Sequence, residues 1–225
     1  MGILYLVRHG QASFGAADYD QLSELGARQC TALGRYLHER GRQFDAVYTG
    51  TLRRHAQSLA AMGGELPGLP PAQALPGLNE YHAEALVHAA AGGAMPEPAA
   101  GSDPDDRRQH FRLLREGLLR WMRGELRPEG MPSWVEFDAG VGDALSRIAR
   151  AHAGDVLLVS SGGPISAAVA QVLEAPPTAV VSLNLQMRNS ALTEFTFSAR
   201  RHHLKTFNTL PHLDHPERTS WVTYS

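Results

Sequence analysis

Three short clusters in this chain carry residue types that can do chemistry together. The first is LYLVRHGQ at 4–11, where an apolar run over 3–7 drives straight into Arg8 and His9, with a glycine behind them. A strand end facing solvent would close on one polar residue or a turn dipeptide. An Arg-His pair held by a core strand instead offers an imidazole nucleophile or base beside a guanidinium. The second cluster is the 49–54 turn, which opens a helix with Arg53 and Arg54. The third is Ser160-Ser161-Gly162-Gly163, a glycine-rich strand-to-helix turn with Pro164 suited to the first helical position. Backbone N–H groups and the helix dipole at such a turn favour an anion, and arginine binds phosphate oxygens bidentately. The sum is a phosphate pocket with a histidine inside it. Which of Arg53 and Arg54 faces the pocket is open at this level.

Those clusters must be held at adjacent strand ends, and the pattern of the chain supplies the strands. Residues 3–7, 44–49 and 155–160 read as buried strands, and "AQALPGLNEYH" at 72–82 as a short strand with its exit. Between them lie segments of helical period. Ser23 begins one that runs to about residue 40, Thr51 can cap one running to Met62, and others cover 105–123, 136–153 and 164–173. Two closing strands, 191–197 and 202–207, precede an irregular tail. "AAAGGAMPEPAAGSDPDD" at 89–106 is rich in breakers and reads as a loop within an insertion over 84–135. Strand–helix alternation with near-continuous apolar strands predicts one α/β domain over 1–225. Its expected form is a three-layer sandwich, a mainly parallel central sheet with helices on both faces. In such folds ligands bind beyond the carboxyl ends of strands, where all three clusters fall.

Composition narrows the partners. The 225 residues are 43% hydrophobic and 20% charged with a net charge of -2 and no long run of one sign, which argues against nucleic acid or an acidic membrane as the main partner, since both require a concentrated basic face. Cys30 is the only cysteine, so neither an intrachain disulfide nor a cysteine-based zinc site is available. The N-terminal apolar run is too short for a secretory segment, Leu6 stands where a myristoylation signal needs Ser or Thr, and no run reaches transmembrane length. A cytoplasmic protein is the expectation.

"LVRHGQ" at 6–11, "YDQLSELGARQ" at 19–29, "YTGTLRRHAQSLA" at 48–60, "LNE" at 78–80 and "VLLVSSGGPI" at 156–165 resemble, in order and spacing, the histidine phosphatase superfamily, the phosphoglycerate-mutase-like group. "NSALTEF" at 189–195 is similar to that family's closing strand, and 84–135 is the least matched stretch. The resemblance implies a phosphatase that hydrolyses a phosphate monoester through a phosphohistidine. His9 would be the nucleophile, Arg8 and Arg54 the phosphate-binding arginines and Glu80 the proton donor to the leaving group. Gln11, Ser13, Ser161 and Gly162 would contact the substrate, and no metal or cofactor is required. The substrate would be a small phosphorylated molecule or a phosphoprotein.

The chain also departs from that pattern. Ser161 occupies the position of the second pocket histidine, Gly15 that of a frequent asparagine, and Ala12 that of a common threonine, with Ser13 placed to supply a substitute contact. Losing one donor to the transferring phosphoryl group can cost about 10²–10³ in rate, so a slow phosphatase is expected. Two other readings belong beside it. A phosphoglycerate mutase is disfavoured because the segment after residue 83 lacks the aromatic and basic sequence of those mutases. A degenerate phospho-ligand-binding protein is the non-enzymatic reading, kept alive by Ser161. A serine nucleophile at Ser161 would want glycine two residues earlier, where Val159 stands. "HLDH" at 212–215 lacks a matching carboxylate cluster for a metal. His38, His55, His88, His110 and His152 are expected at the surface. Substrate choice falls to 84–135 and to Phe14, and the sequence carries no signal for oligomeric state.

Overall fold

Strand β1 (Gly2–Arg8) is buried along almost its whole length, and so are β2 (Ala46–Thr49) and β4 (Val156–Ser160). Continuous burial of successive residues, which point to opposite faces, requires cover on both sides of the sheet. The computed structural model, which describes residues 2–13, 20–93 and 104–224, supplies that cover with helices. In chain order the elements are β1, α1 (Glu24–Glu39), β2, α2 (Arg53–Gly63), β3 (Ala72–Ala74), a 3₁₀ turn (Pro76–Leu78), α3 (Ala83–Ala90), α4 (Pro104–Met122), α5 (Trp134–Ala151), β4, α6 (Gly162–Val172), α7 (Pro177–Leu185), β5 (Leu192–Ser198), β6 (Arg201–Thr209) and a 3₁₀ turn (Pro216–Trp221).

The sheet has the order β3-β2-β4-β1-β5-β6. Its first four strands are parallel, and β5 and β6 close it antiparallel. The mainly parallel α/β sandwich read from the sequence is therefore the fold. Alternation divides the core by face. Tyr5, Val7, Val47, Leu157 and Val159 pack with Leu33, Leu37 and Met62 of α1 and α2. Leu4, Leu6, Tyr48 and Leu158 pack on the opposite face with Phe137, Val141 and Ile165 of α5 and α6. The register pairs Arg8 with Ser160 at the carboxyl ends of the two central strands. His9 and Ser161, the next residues on each, are thereby lateral neighbours.

Local chemistry sets the helix starts. The Ser23 side chain accepts from the Gly26 N–H and caps α1 as expected. Helix α5 starts two residues earlier than its apolar period suggested, because Ser133 and Glu136 form a reciprocal capping box, a device worth about 1 kcal/mol at the cap. Thr51 does not cap α2. Leu52 holds the cap position without a side-chain bond, and Thr51 instead exchanges hydrogen bonds with the Asn79 side chain. Pro164 is the third residue of α6, since the helix opens at Gly162.

Helix α3 occupies 83–90, where an insertion dominated by loop was expected, and α7 was not anticipated. The middle of the breaker-rich stretch, 94–103, lies outside the described residues. Helix α4 buries Leu114, Leu118 and Trp121 and packs against α3 and α7. Trp121 meets Trp134, Phe137 and Tyr81 in an aromatic cluster, so this part of the chain buttresses the residue that follows Glu80. Among the described residues no helix is long and apolar enough to cross a membrane.

Candidate active site

The β1 end fixes His9 by its backbone. Its N–H donates to the Ser160 carbonyl at 2.9 Å, and its carbonyl accepts from the Ser190 N–H at 3.1 Å and the Asn189 side chain at 3.4 Å. The imidazole Nδ1 lies 2.7 Å from the Gly10 carbonyl. A carbonyl only accepts, so Nδ1 carries the proton and Nε2 presents a bare lone pair. The ring is 3% exposed. Burial holds its pKa well below the ordinary histidine value, and the charges of Arg8 and Arg54 and the neighbouring His55 add to that, against the bond to Gly10. His9 thus presents a neutral, oriented imidazole, the form in which a histidine can act as a nucleophile. Arg8 beside it, 9% exposed, is anchored by Nη1 to the Met187 carbonyl and, at 3.1 Å, to that of Tyr224.

The second cluster separates its two arginines. Arg53 is exposed and Arg54 is 7% exposed, turned inward. Asp20 fixes it there. One carboxylate oxygen accepts from Arg54 Nη1 at 2.8 Å, and the carboxylate also takes the backbone N–H of Arg53 at 2.8 Å and of Arg54 at 3.4 Å. Asp20 caps the helix from outside its own segment and orients the guanidinium in the same act. Sequence reasoning missed it, although it lies in the quoted stretch 19–29.

Glu80 arrives at the same place through a chain of tethers. The Ser160 hydroxyl donates to the Leu78 carbonyl at 2.7 Å, and Asn79 is bonded to Thr51 as described. Both Glu80 carboxylate oxygens then lie 3.1 Å from the Gly163 N–H. A side chain at Gly163 would put its Cβ 2.1 Å from Glu80 Oε1, so glycine is what permits this approach. The helix N-terminus expected to hold a ligand anion therefore holds the protein's own carboxylate at Gly163. Burial raises the Glu80 pKa, opposed by the Gly163 N–H, Arg54 and Arg8. It is a group that can carry a proton within reach of two arginines.

The expectation of a surface role for His55 is corrected. The ring is fully buried, its centroid 5.8 Å from that of His9 at an interplanar angle of 35°, with Nε2 2.7 Å from Ser161 Oγ. Burial first, and then the Arg54 charge, lowers its pKa to about 3. The signal was periodic: His55, Ser58 and Met62 share the buried face of α2. A polar residue on a face read as half solvent was misplaced by its type.

The other expected contacts are less direct. Gln11 Oε1 accepts from the Ser23 hydroxyl at 3.0 Å, which ties its side chain to the start of α1. Ser13 donates its N–H to the Gln21 carbonyl at 2.7 Å. Gly162 opens α6 with Arg8 Nε 3.7 Å and Asn184 Oδ1 2.4 Å from where a Cβ would stand, and Asn184 donates to the Tyr81 hydroxyl at 2.6 Å. Phe14 and Gly15 lie outside the described residues. His38 and His88 are exposed, as expected. His152 bonds the Tyr48 hydroxyl at 2.9 Å, half-buried. In the 212–215 pair, His212 is buried against the Ser190 hydroxyl and His215 caps the last 3₁₀ turn, so the two serve packing and capping.

An oriented neutral imidazole, two inward arginines and a protonatable carboxyl, all at the ends of adjacent parallel strands, can take a phosphoryl group from an ester and protonate the oxygen that leaves. Comparison with known proteins agrees in kind. The profile of the histidine phosphatase superfamily (branch 1) matches residues 4–210. A metal-independent phosphoserine phosphatase of Arabidopsis thaliana is 28% identical over 179 residues, 76% of this chain and 69% of that protein. Among solved structures, Bacillus stearothermophilus YhfR superposes with a TM-score of 0.68 at 20% identity, covering 94% of this chain and 99% of that one. A mycobacterial glucosyl-3-phosphoglycerate phosphatase gives 0.65 at 22% identity, covering 93% and 99%. At such identities the two structures speak for the fold.

Proposed function

The chain belongs to the histidine phosphatase superfamily as a metal-independent phosphatase, and from that premise we propose that it hydrolyses phosphate monoesters through a phosphohistidine on His9. The observation that carries this reading is the tautomer of His9. With Nδ1–H committed to the Gly10 carbonyl, the Nε2 lone pair is the one available for attack.

The steps balance within the residues present. Nε2 attacks phosphorus as the ester P–O bond breaks, and Glu80 gives its proton to the departing oxygen. Arg8 and Arg54 offset the phosphoryl charge and hold it in line with His9. Water then attacks phosphorus, the Glu80 carboxylate takes its proton, the P–N bond breaks, and inorganic phosphate leaves a neutral His9. A small phosphorylated molecule is the substrate class favoured by the relatives, whose names give phosphoserine and glucosyl-3-phosphoglycerate. The insertion over 84–135 buttresses Tyr81 beside Glu80 and is where we place substrate choice. Ser161 acting alone, as a neutral donor, would leave turnover slow.

Turnover of p-nitrophenyl phosphate tests the reading. Hydrolysis should survive EDTA, be competitively inhibited by vanadate, whose trigonal-bipyramidal form resembles the transition state, and vanish in His9→Ala. Loss of activity on chelation, restored by a divalent ion, would overturn the mechanism.

A further inference from the structure

We propose that His55 and Ser161 work as one unit, in which the His55 imidazole holds the Ser161 hydroxyl so that its proton is directed to the phosphoryl group on His9. The inference rests on the phosphatase reading above and adds a positioning residue to it.

The hydrogen-bond inventory of the pair leads there. A neutral imidazole and a hydroxyl hold two exchangeable protons, and one bond joins them, His55 Nε2 to Ser161 Oγ at 2.7 Å. One proton is left over. If the hydroxyl donated to Nε2, that proton would sit on His55 Nδ1, which is buried with no hydrogen-bond partner among the described residues. Nδ1 faces Gly50 so closely that a Cβ there would lie 2.4 Å from it, and Asn79 Oδ1, 2.7 Å from the same point, accepts from the Thr51 N–H at 2.6 Å and not from the ring. An N–H buried there without a hydrogen bond costs more than a bare nitrogen in the same place. The ring proton therefore sits on Nε2 and is given to Ser161 Oγ. The left-over proton is then the Ser161 hydroxyl's own.

That proton is well placed. Ser161 follows Ser160 as His9 follows Arg8, and Arg8 and Ser160 are paired on adjacent parallel strands. Adjacent strands lie about 4.8 Å apart, so the hydroxyl sits beside the nucleophile. Receiving a hydrogen bond from His55 polarises the O–H and makes it a better donor than an isolated serine. The imidazole that the family pattern leads one to expect at 161 is thus present on α2, acting through the serine. Its 5.8 Å approach to the His9 ring leaves it no exposed face and no surface role.

Variants of the full chain, assayed with p-nitrophenyl phosphate, test the unit. His55→Leu fills the core without a donor, and His55→Gln keeps an N–H. Ser161→Ala removes the hydroxyl. His55→Leu and Ser161→Ala should each lower kcat by about 10² with KM changed little, the double variant should fall no further, and His55→Gln should recover most of the rate. A merely structural His55 would lower Tm and leave kcat of the folded protein within about twofold of wild type, or its effect would multiply with that of Ser161→Ala. Either result overturns the inference. Should His55→Leu not fold, the other two decide: a fall in Ser161→Ala with near-normal kcat in His55→Gln supports the unit, and any other pattern overturns it. A wild-type chain without turnover overturns the phosphatase reading and this unit together. An active wild type with unaffected variants overturns the unit alone.

Discussion

The carboxyl ends of β1 and β4 lie side by side, yet they build their chemistry in opposite ways. At the β1 end everything is local. Arg8, His9 and Gly10 are consecutive, and the bond that sets the His9 tautomer runs to the next residue. At the β4 end the chain contributes small residues, and the larger groups come from elsewhere. Glu80 reaches in from beyond the Pro76–Leu78 turn to bond Gly163, and His55 reaches in from α2 to bond Ser161. The small residues are what make room, since Gly163 would collide with Glu80 if it carried a side chain. One strand end presents its own reactive groups, and its neighbour is a socket for imported ones.

That contrast gives a ranked set of outcomes. The largest falls on the second cluster, where two adjacent arginines have opposite exposures. Arg54→Ala should lower kcat/KM by about 10³, because it removes a buried cation from the phosphoryl group, and Arg53→Ala should stay within about threefold. Steady-state kinetics of the two variants decide it, and equal losses would mean that orientation at the start of α2 is misread.

A smaller effect belongs to Glu80. Glu80→Gln should cost about 10² with an alkyl phosphate and much less with p-nitrophenyl phosphate, whose leaving group departs without a proton. The pH dependence follows from the directions of the shifts. Glu80 must be protonated to act, and its pKa in the free protein is raised, so kcat/KM falls on the alkaline side at a pH above the ordinary carboxylate range. His9 must be neutral, and its pKa is lowered, so the acidic limb lies well below the ordinary histidine value. A wild-type profile with both limbs displaced in this sense, and a loss of the alkaline limb in Glu80→Gln, would sharpen the contrast between the local His9 and the imported Glu80. An alkaline limb that persists unchanged in the variant would break it.

The same contrast explains what was legible in the sequence. The parallel sheet was readable because burial on both faces leaves near-continuous apolar runs, as in residues 3–7 and 155–160. The Arg8-His9 pair was readable as a candidate because the residues that fix its geometry are neighbours in the chain. The choice of Arg54 over Arg53 came through the family resemblance, and exposure provides its physical reason. Asp20 and His55 were not legible in their roles, because each acts on a partner more than 30 positions away, Asp20 on Arg54 and His55 on Ser161. Helix α3 was missed because its alanines and glutamate sit beside a breaker-rich run, and tertiary packing of Leu86 and Val87 overrides that context.

The most direct test of the whole account is the location of the phosphoryl group during turnover. Brief incubation with an isotopically labelled phosphate monoester, quenched without acid, should leave the label on the peptide containing His9, as a phosphoramidate stable in alkali and lost in acid. His9→Ala should carry none. Label on Ser161, or turnover with no label on any residue, would contradict the assignment of His9 as nucleophile.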